Sequence, residues 1–164
     1  MDIKGQLSLE FVIIAGLMLT ITLCLAPILG NDIELTQAMA AARNGAIRGA
    51  NIDGFAIYPE DVFENYTNEN LRLINPVSVK IVEINYKNYG FNATYNKTRI
   101  QLRITASAPS IKNSKDKNSL GDRINFYARK SICESFGTSN LTNKLYNPVF
   151  SSRYVFTTAD VRWT

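Results

Sequence analysis

Few side chains in this sequence could carry out a reaction. Its 164 residues contain no histidine and two cysteines, Cys24 inside an apolar run and Cys133 in polar surroundings. Histidine-based triads and histidine-ligated zinc or copper are thereby excluded, and two such thiols cannot build a zinc ribbon or a disulfide framework. Both cysteines are expected to be unpaired. Ser, Asp and Glu are present, but no spacing marks a general base, and a hydrolase without histidine would need a Ser-Lys or carboxylate pair. The chain reads as non-enzymatic, with no catalytic residue, metal site or cofactor. One group stands out chemically: Glu10 is a carboxylate set directly against an apolar segment. A carboxylate inside a hydrocarbon-like layer costs roughly 2.5–3.5 kcal/mol, so Glu10 must mark the edge of that layer or have a partner.

The element that positions Glu10 is the run Phe11 to Leu29, FVIIAGLMLTITLCLAPIL, which lacks charge and has only Thr20 and Thr22 as polar members. As a helix it spans about 28 Å, close to the thickness of a bilayer core. Lys4 and the free amine precede it, and Asp32 and Glu34 follow it. The positive-inside tendency then places the amino terminus in the cytoplasm and everything after Asn31 outside. An ordinary secretory signal fits poorly, because CLAPILGNDIE has Pro27 in the way and no Ala-x-Ala site. An uncleaved signal anchor with an interfacial Glu10 is the plain reading of this much.

Lys4-Gly5-Gln6-Leu7-Ser8-Leu9-Glu10-Phe11 followed by an apolar run resembles the class III signal peptide of archaeal type IV pilins, especially the QxSxEF-type prepilins of methanogens. Four linked features carry the likeness, over about the first 25 residues: a short basic leader, Gly5, the Gln-x-Ser-x-Glu-Phe sequence, and apolar residues beyond it. The resemblance implies that a membrane prepilin peptidase cuts between Gly5 and Gln6 at the cytoplasmic face and that the apolar segment is retained. Lys4 would hold the leader inside, and Gly5, lacking a side chain, would lie extended in the protease cleft. In the assembled fibre of this family Glu10 neutralises the new amine of a neighbouring subunit. Gln6 and Glu10 are also four apart on a helix, so pairing within one chain stays open.

The implied partners are copies of the chain itself and other pilins, the prepilin peptidase, the pilus assembly platform with its ATPase, and the membrane before assembly. The mature protein is expected on the cell surface in an extracellular pilus, with a role in surface adhesion. A minor pilin and a non-polymerising, membrane-anchored extracellular binding protein would carry the same signal. Archaellins are more distant, since they usually begin with a more hydrophobic, Gly-containing stretch. Pro27 removes a backbone hydrogen bond and predicts a kink or loosening around Leu23 to Gly30. In many bacterial type IV pilins a proline at a similar distance lets the segment stretch on assembly.

Beyond the apolar run, Ala38, Ala41, Gly45 and Gly49 form one helical stripe, with Ala42, Ala46 and Ala50 beside it. Such small residues permit close backbone approach, while each glycine costs a lone helix about 1 kcal/mol, so contact with a sheet or another subunit is needed. The helix is expected to end near Gly49. Periodicity then changes: Thr98 to Thr105 alternates Ile100, Leu102 and Ile104 with Arg99, Gln101 and Arg103. Val77 to Tyr86 and Phe91 to Tyr95 are earlier strand candidates, predicting a three-strand meander, and Arg153 to Trp163 reads as a last strand. Pro109 to Gly121 reads as a polar loop, and 120–136 fits a helix better than a strand. The sequence thus predicts an α+β chain: a leader at 1–5, a long hydrophobic helix at 6–50 with its apolar part at 11–29, and a mainly antiparallel β-sheet domain at 51–164.

Charge is uneven. Residues 51–96 hold six acids and three bases, whereas 97–130 hold nine bases and two acids. This suits either two solvated surfaces or complementarity between subunits. Nucleic acid is not an expected partner, because the basic stretch lacks interleaved aromatics. Four Asn-x-Ser/Thr triplets, at Asn65, Asn92, Asn96 and Asn140, are candidate glycosylation sites, of which Asn92 and Asn96 are too close to be filled together readily.

Overall fold

A computed structural model describes residues 9–51 and 79–164, without the side chains of 26–32. The chain is α+β and divides into two compact units, Met1–Leu35 and Thr36–Thr164. Helix α1, Leu9–Asn51, is 43 residues long, so this division falls within it. The helix continues through Pro27, so the kink or loosening expected around Leu23 to Gly30 does not interrupt it. The helix end expected near Gly49 falls where the described residues stop, at Asn51. Lys4, Gly5 and Gln6, expected to form the leader and its cleavage site, lie outside the described residues, as does Asn65.

In the second unit, residues 36–51 of α1 bury Ala38, Ala42, Ala46 and Ala50. They are followed by strands β1 (Lys80–Asn92) and β2 (Lys97–Ser107), helix α2 (Ser114–Phe136), a 3-10 turn at Ser139–Leu141, and strands β3 (Val149–Phe150), β4 (Tyr154–Thr158) and β5 (Arg162–Trp163). The strand order is β1-β2-β4-β3, with β5 also on β2. β1 and β2 are antiparallel, as are β3 and β4, but β4 and β5 run parallel to β2. The sheet is therefore mixed, which corrects the mainly antiparallel expectation. The physical reason is α2: parallel neighbours need a long crossover, and the helix supplies it.

The predicted meander is also corrected, because 80–92 form one strand. Gly90 at φ 78 absorbs an irregularity in register between Asn88 and Phe91, and its N–H donates to Asn88 Oδ1 at 2.8 Å. The break at Lys87 to Gly90 is thus a bulge within β1. The hairpin closes at Asn92 to Lys97, where Asn92 Oδ1 accepts from the N–H of Thr94 at 3.0 Å.

The polar loop expected at Pro109 to Gly121 is shorter than read, since α2 begins inside it. Asn113 caps the helix by accepting the Lys115 N–H at 3.0 Å, and Gly137, at φ 64, ends it. Leu120, Ile124, Ala128 and Ile132 bury one stripe of α2, settling 120–136 as helix. The last predicted strand is split between β4 and β5: the Ala159 N–H still donates to the Leu102 carbonyl at 2.9 Å, and Asn125 Nδ2 donates to the Ala159 carbonyl at 3.0 Å. Val155 and Phe156, adjacent on β4, are both buried. The core comprises Ile100, Leu102 and Ile104 of β2, the buried stripe of α2, and Phe156, whose ring stacks on Phe136 with centroids 6.4 Å apart. Each such large apolar side chain contributes about 1.5–3 kcal/mol on burial.

Candidate functional site

The first unit consists, in its described part, of helix without a core of its own. Leu9, Phe11, Ile14, Leu17, Met18 and Leu23 are all exposed, Leu9 at 77% and Met18 at 66%. These positions surround the helix axis, so the surface is apolar on every side and does not form one amphipathic stripe. Its two hydroxyls are satisfied internally: Thr20 Oγ1 donates to the Gly16 carbonyl and Thr22 Oγ1 to the Met18 carbonyl, each at 2.8 Å. A polar side chain that back-bonds to its own helix makes no demand on water or on a neighbour.

Glu10 sits in the first described turn of α1, and Phe11 beside it is exposed. Glu10 has no ion pair among the described residues; the amine that cleavage would create at Gln6 lies outside them. Cys24 is exposed on the apolar helix, and Cys133 is buried in α2, both as free thiols. Among the described residues no helix is long and apolar enough to cross a membrane; the side chains of 26–32 lie outside those described.

In the second unit the small stripe of α1 is used against α2. A methyl group built on Gly45 would run into the Tyr127 carbonyl oxygen, with the Tyr127 carbonyl carbon at 2.7 Å and Ala128 Cα at 2.8 Å. At Gly49 the corresponding neighbours are the Arg123 carbonyl at 2.9 Å and Ile124 Cα at 3.0 Å. The two helices therefore touch backbone to backbone, which only glycine allows. Gln37 Nε2 fixes the pair by donating to Ser135 Oγ at 2.8 Å and to the Ser135 carbonyl at 3.1 Å. Arg48 lies over the Tyr127 ring at 5.4 Å. Burial pushes the Tyr127 phenol above its ordinary value, opposed by Arg48 and Arg123, and burial likewise raises the Cys133 thiol. Cys133 is thus held as an inert thiol.

The sheet carries polar features that the sequence showed only in part. Tyr89 lies between two cations, with Lys87 Nζ 4.9 Å and Arg99 Cζ 5.3 Å from its ring centroid, and its hydroxyl donates to Gln101 Oε1 at 3.1 Å. Glu83, Asn85, Tyr86, Arg103, Thr105 and Arg162 line an adjoining open hollow. The alternation of 98–105 marked Arg99, Gln101 and Arg103 as one face; the cross-strand partners Lys87 and Tyr89 follow from a register that no local pattern fixes.

Of the described glycosylation candidates, Asn96 is exposed at the hairpin tip with φ 51, and Asn140 is exposed in the 3-10 turn. Asn92 is half-buried with its side-chain oxygen engaged by the turn. Among the described residues no cluster of His, Cys, Asp or Glu could hold a metal ion. No family model, no curated protein and no solved structure matches the chain.

Proposed function

We propose that the chain is the structural subunit of an archaeal type IV pilus-like surface filament. It is processed between Gly5 and Gln6 and polymerises through the apolar part of its amino-terminal helix. The observation that carries this reading is the surface of α1 over residues 9–25, exposed and apolar all round, with its hydroxyls turned inward. Each large apolar side chain withdrawn from water is worth about 1.5–3 kcal/mol. Association costs on the order of 4–15 kcal/mol. A helix that is apolar on every side uses its whole surface only when several neighbours surround it, as in a bundle of equivalent segments. Such a head-to-tail arrangement grows without closing.

Before assembly, lipid supplies the same dry surroundings. Glu10 at the tip of the rod then meets the amine of a neighbouring Gln6, or that of its own chain. The second unit, with its exposed hairpin tip and loops, carries surface adhesion.

Amino-terminal mass analysis of material sheared from cells is the direct test, with a start at Gln6 expected. A start at Met1 or beyond Gly30 refutes the processing. Electron microscopy of cells lacking the chain should show missing or shortened filaments; ordinary filaments would refute polymerisation and leave a solitary anchored protein.

A further inference from the structure

The outward face of the sheet carries positive charge that the described chain does not neutralise. On β2, Arg99, Gln101 and Arg103 alternate with the buried Ile100, Leu102 and Ile104. The register sets Lys87 beside Gln101 and Asn85 beside Arg103, and β5 brings Arg162 beside Thr105. Lys87, Arg99, Arg103 and Arg162 make no ion pair among the described residues. Glu83 is the one acid in the hollow that Arg103 and Arg162 line.

Two of these cations are positioned before any partner arrives. Tyr89 is tied to Gln101 and flanked by Lys87 and Arg99, which restrains both long side chains and lowers the ordering cost of a contact. Tyr89 is 47% exposed and both neighbouring cations reach its ring, leaving their charge as the feature a carboxylate-bearing partner would meet.

The chain itself contains such a partner. Residues 52–78 carry Asp53, Glu60, Asp61, Glu64 and Glu69 against the single base Arg72. We infer that the basic face of β1, β2 and β5 docks the acidic 52–78 stretch of a second copy of this chain, as a lateral contact between outer units. Two basic faces cannot meet each other, since like charges would lie opposed. The contact therefore joins unlike surfaces and repeats from copy to copy, as an open polymer requires. The inference rests on the filament reading and adds to it a second, polar seam.

Charge reversal in the native host tests it with the full chain. R99E/R103E and D61K/E64K are each expected to lower filament yield about tenfold when expressed alone, in line with the cost of opposed like charges. Co-expression of the two is expected to restore filaments, because each supplies what the other lacks across the contact. Rescue only when all four changes sit in one chain means that the docking is internal and overturns the inference. Normal filaments from R99E/R103E alone overturn it while the filament reading stands; absence of filaments from the unaltered chain overturns both. A second measurement does not depend on how the variants fold. Carbodiimide treatment of native filaments should join Lys87 to an acid between Glu60 and Glu69, and no such cross-linked peptide would overturn the inference.

Discussion

Replacing Gly45 by Ala should destabilise the outer unit, although alanine is the better helix former. In an open helix the change would gain about 1 kcal/mol. Here the added methyl meets three backbone atoms of α2, the Tyr127 carbonyl carbon at 2.7 Å and Ala128 Cα at 2.8 Å among them. These atoms cannot rotate away as a side-chain tip could, so the helices must separate by a substantial part of an ångström. Such overpacking costs about 1–3 kcal/mol. Clashes with main chain belong at the upper end, leaving a net loss of about 1–2 kcal/mol. Gly16 provides the control: nothing lies within 4 Å of a methyl placed there. Gly16→Ala should be neutral or slightly stabilising. The assay is thermal unfolding of the detergent-solubilised full chain, followed through Trp163, the sole tryptophan, whose ring approaches the Cβ position of Gly121 at 3.7 Å. A fall of several degrees is expected for Gly45→Ala, at about 4 °C per kcal/mol. A melting temperature equal to or above that of the unaltered chain would refute the close crossing of α1 and α2.

Four further outcomes are expected. Glu10→Ala should still be inserted and trimmed at Gly5-Gln6 yet assemble poorly, and normal fibres by electron microscopy would show that the carboxylate only marks an edge. Thiol labelling should modify Cys24 in detergent and spare it in filaments, while Cys133 stays unreactive in both; as pH rises, Cys133 should ionise later than an exposed thiol because burial raises it. That sign also means that stability contributed by the neutral Cys133 and Tyr127 is present at neutral pH and declines in alkali as each group ionises, measurable as a falling unfolding midpoint above about pH 9. Arg129→Leu should cost about 1.5–3 kcal/mol by denaturant titration, because it removes charged donors from Thr158 Oγ1 and the Leu145 carbonyl.

The parts of the fold legible in the sequence were those set by local periodicity. The alternation of 98–105 located β2, and the small stripe from Ala38 to Gly49 foretold a tight helix contact, although its partner proved to be α2 of the same chain. Pairing direction was not legible, because it depends on where the chain returns after a helix and not on any residue within the strand. The bulge at Gly90 passed for a loop, since a glycine in a polar stretch looks the same in both. Asn113 was missed as a cap because lysines and asparagines around it disguised the first turn of α2. Glu10 and Phe11 were singled out by their position against the apolar run, whereas the meeting of Lys87, Tyr89 and Arg99 across two strands was not legible, because it depends on a register shift.

The inward-bonded hydroxyls of Thr20 and Thr22 bear on how a filament would respond to tension. A rod whose described flank between Phe11 and Leu25 offers no free hydroxyl donor would be gripped by its neighbours through contact area alone. Neighbouring rods could then slip by fractions of a turn without rupturing any particular bond, and regain their seating when the load is released. Elastic recovery under shear would come from this smooth flank.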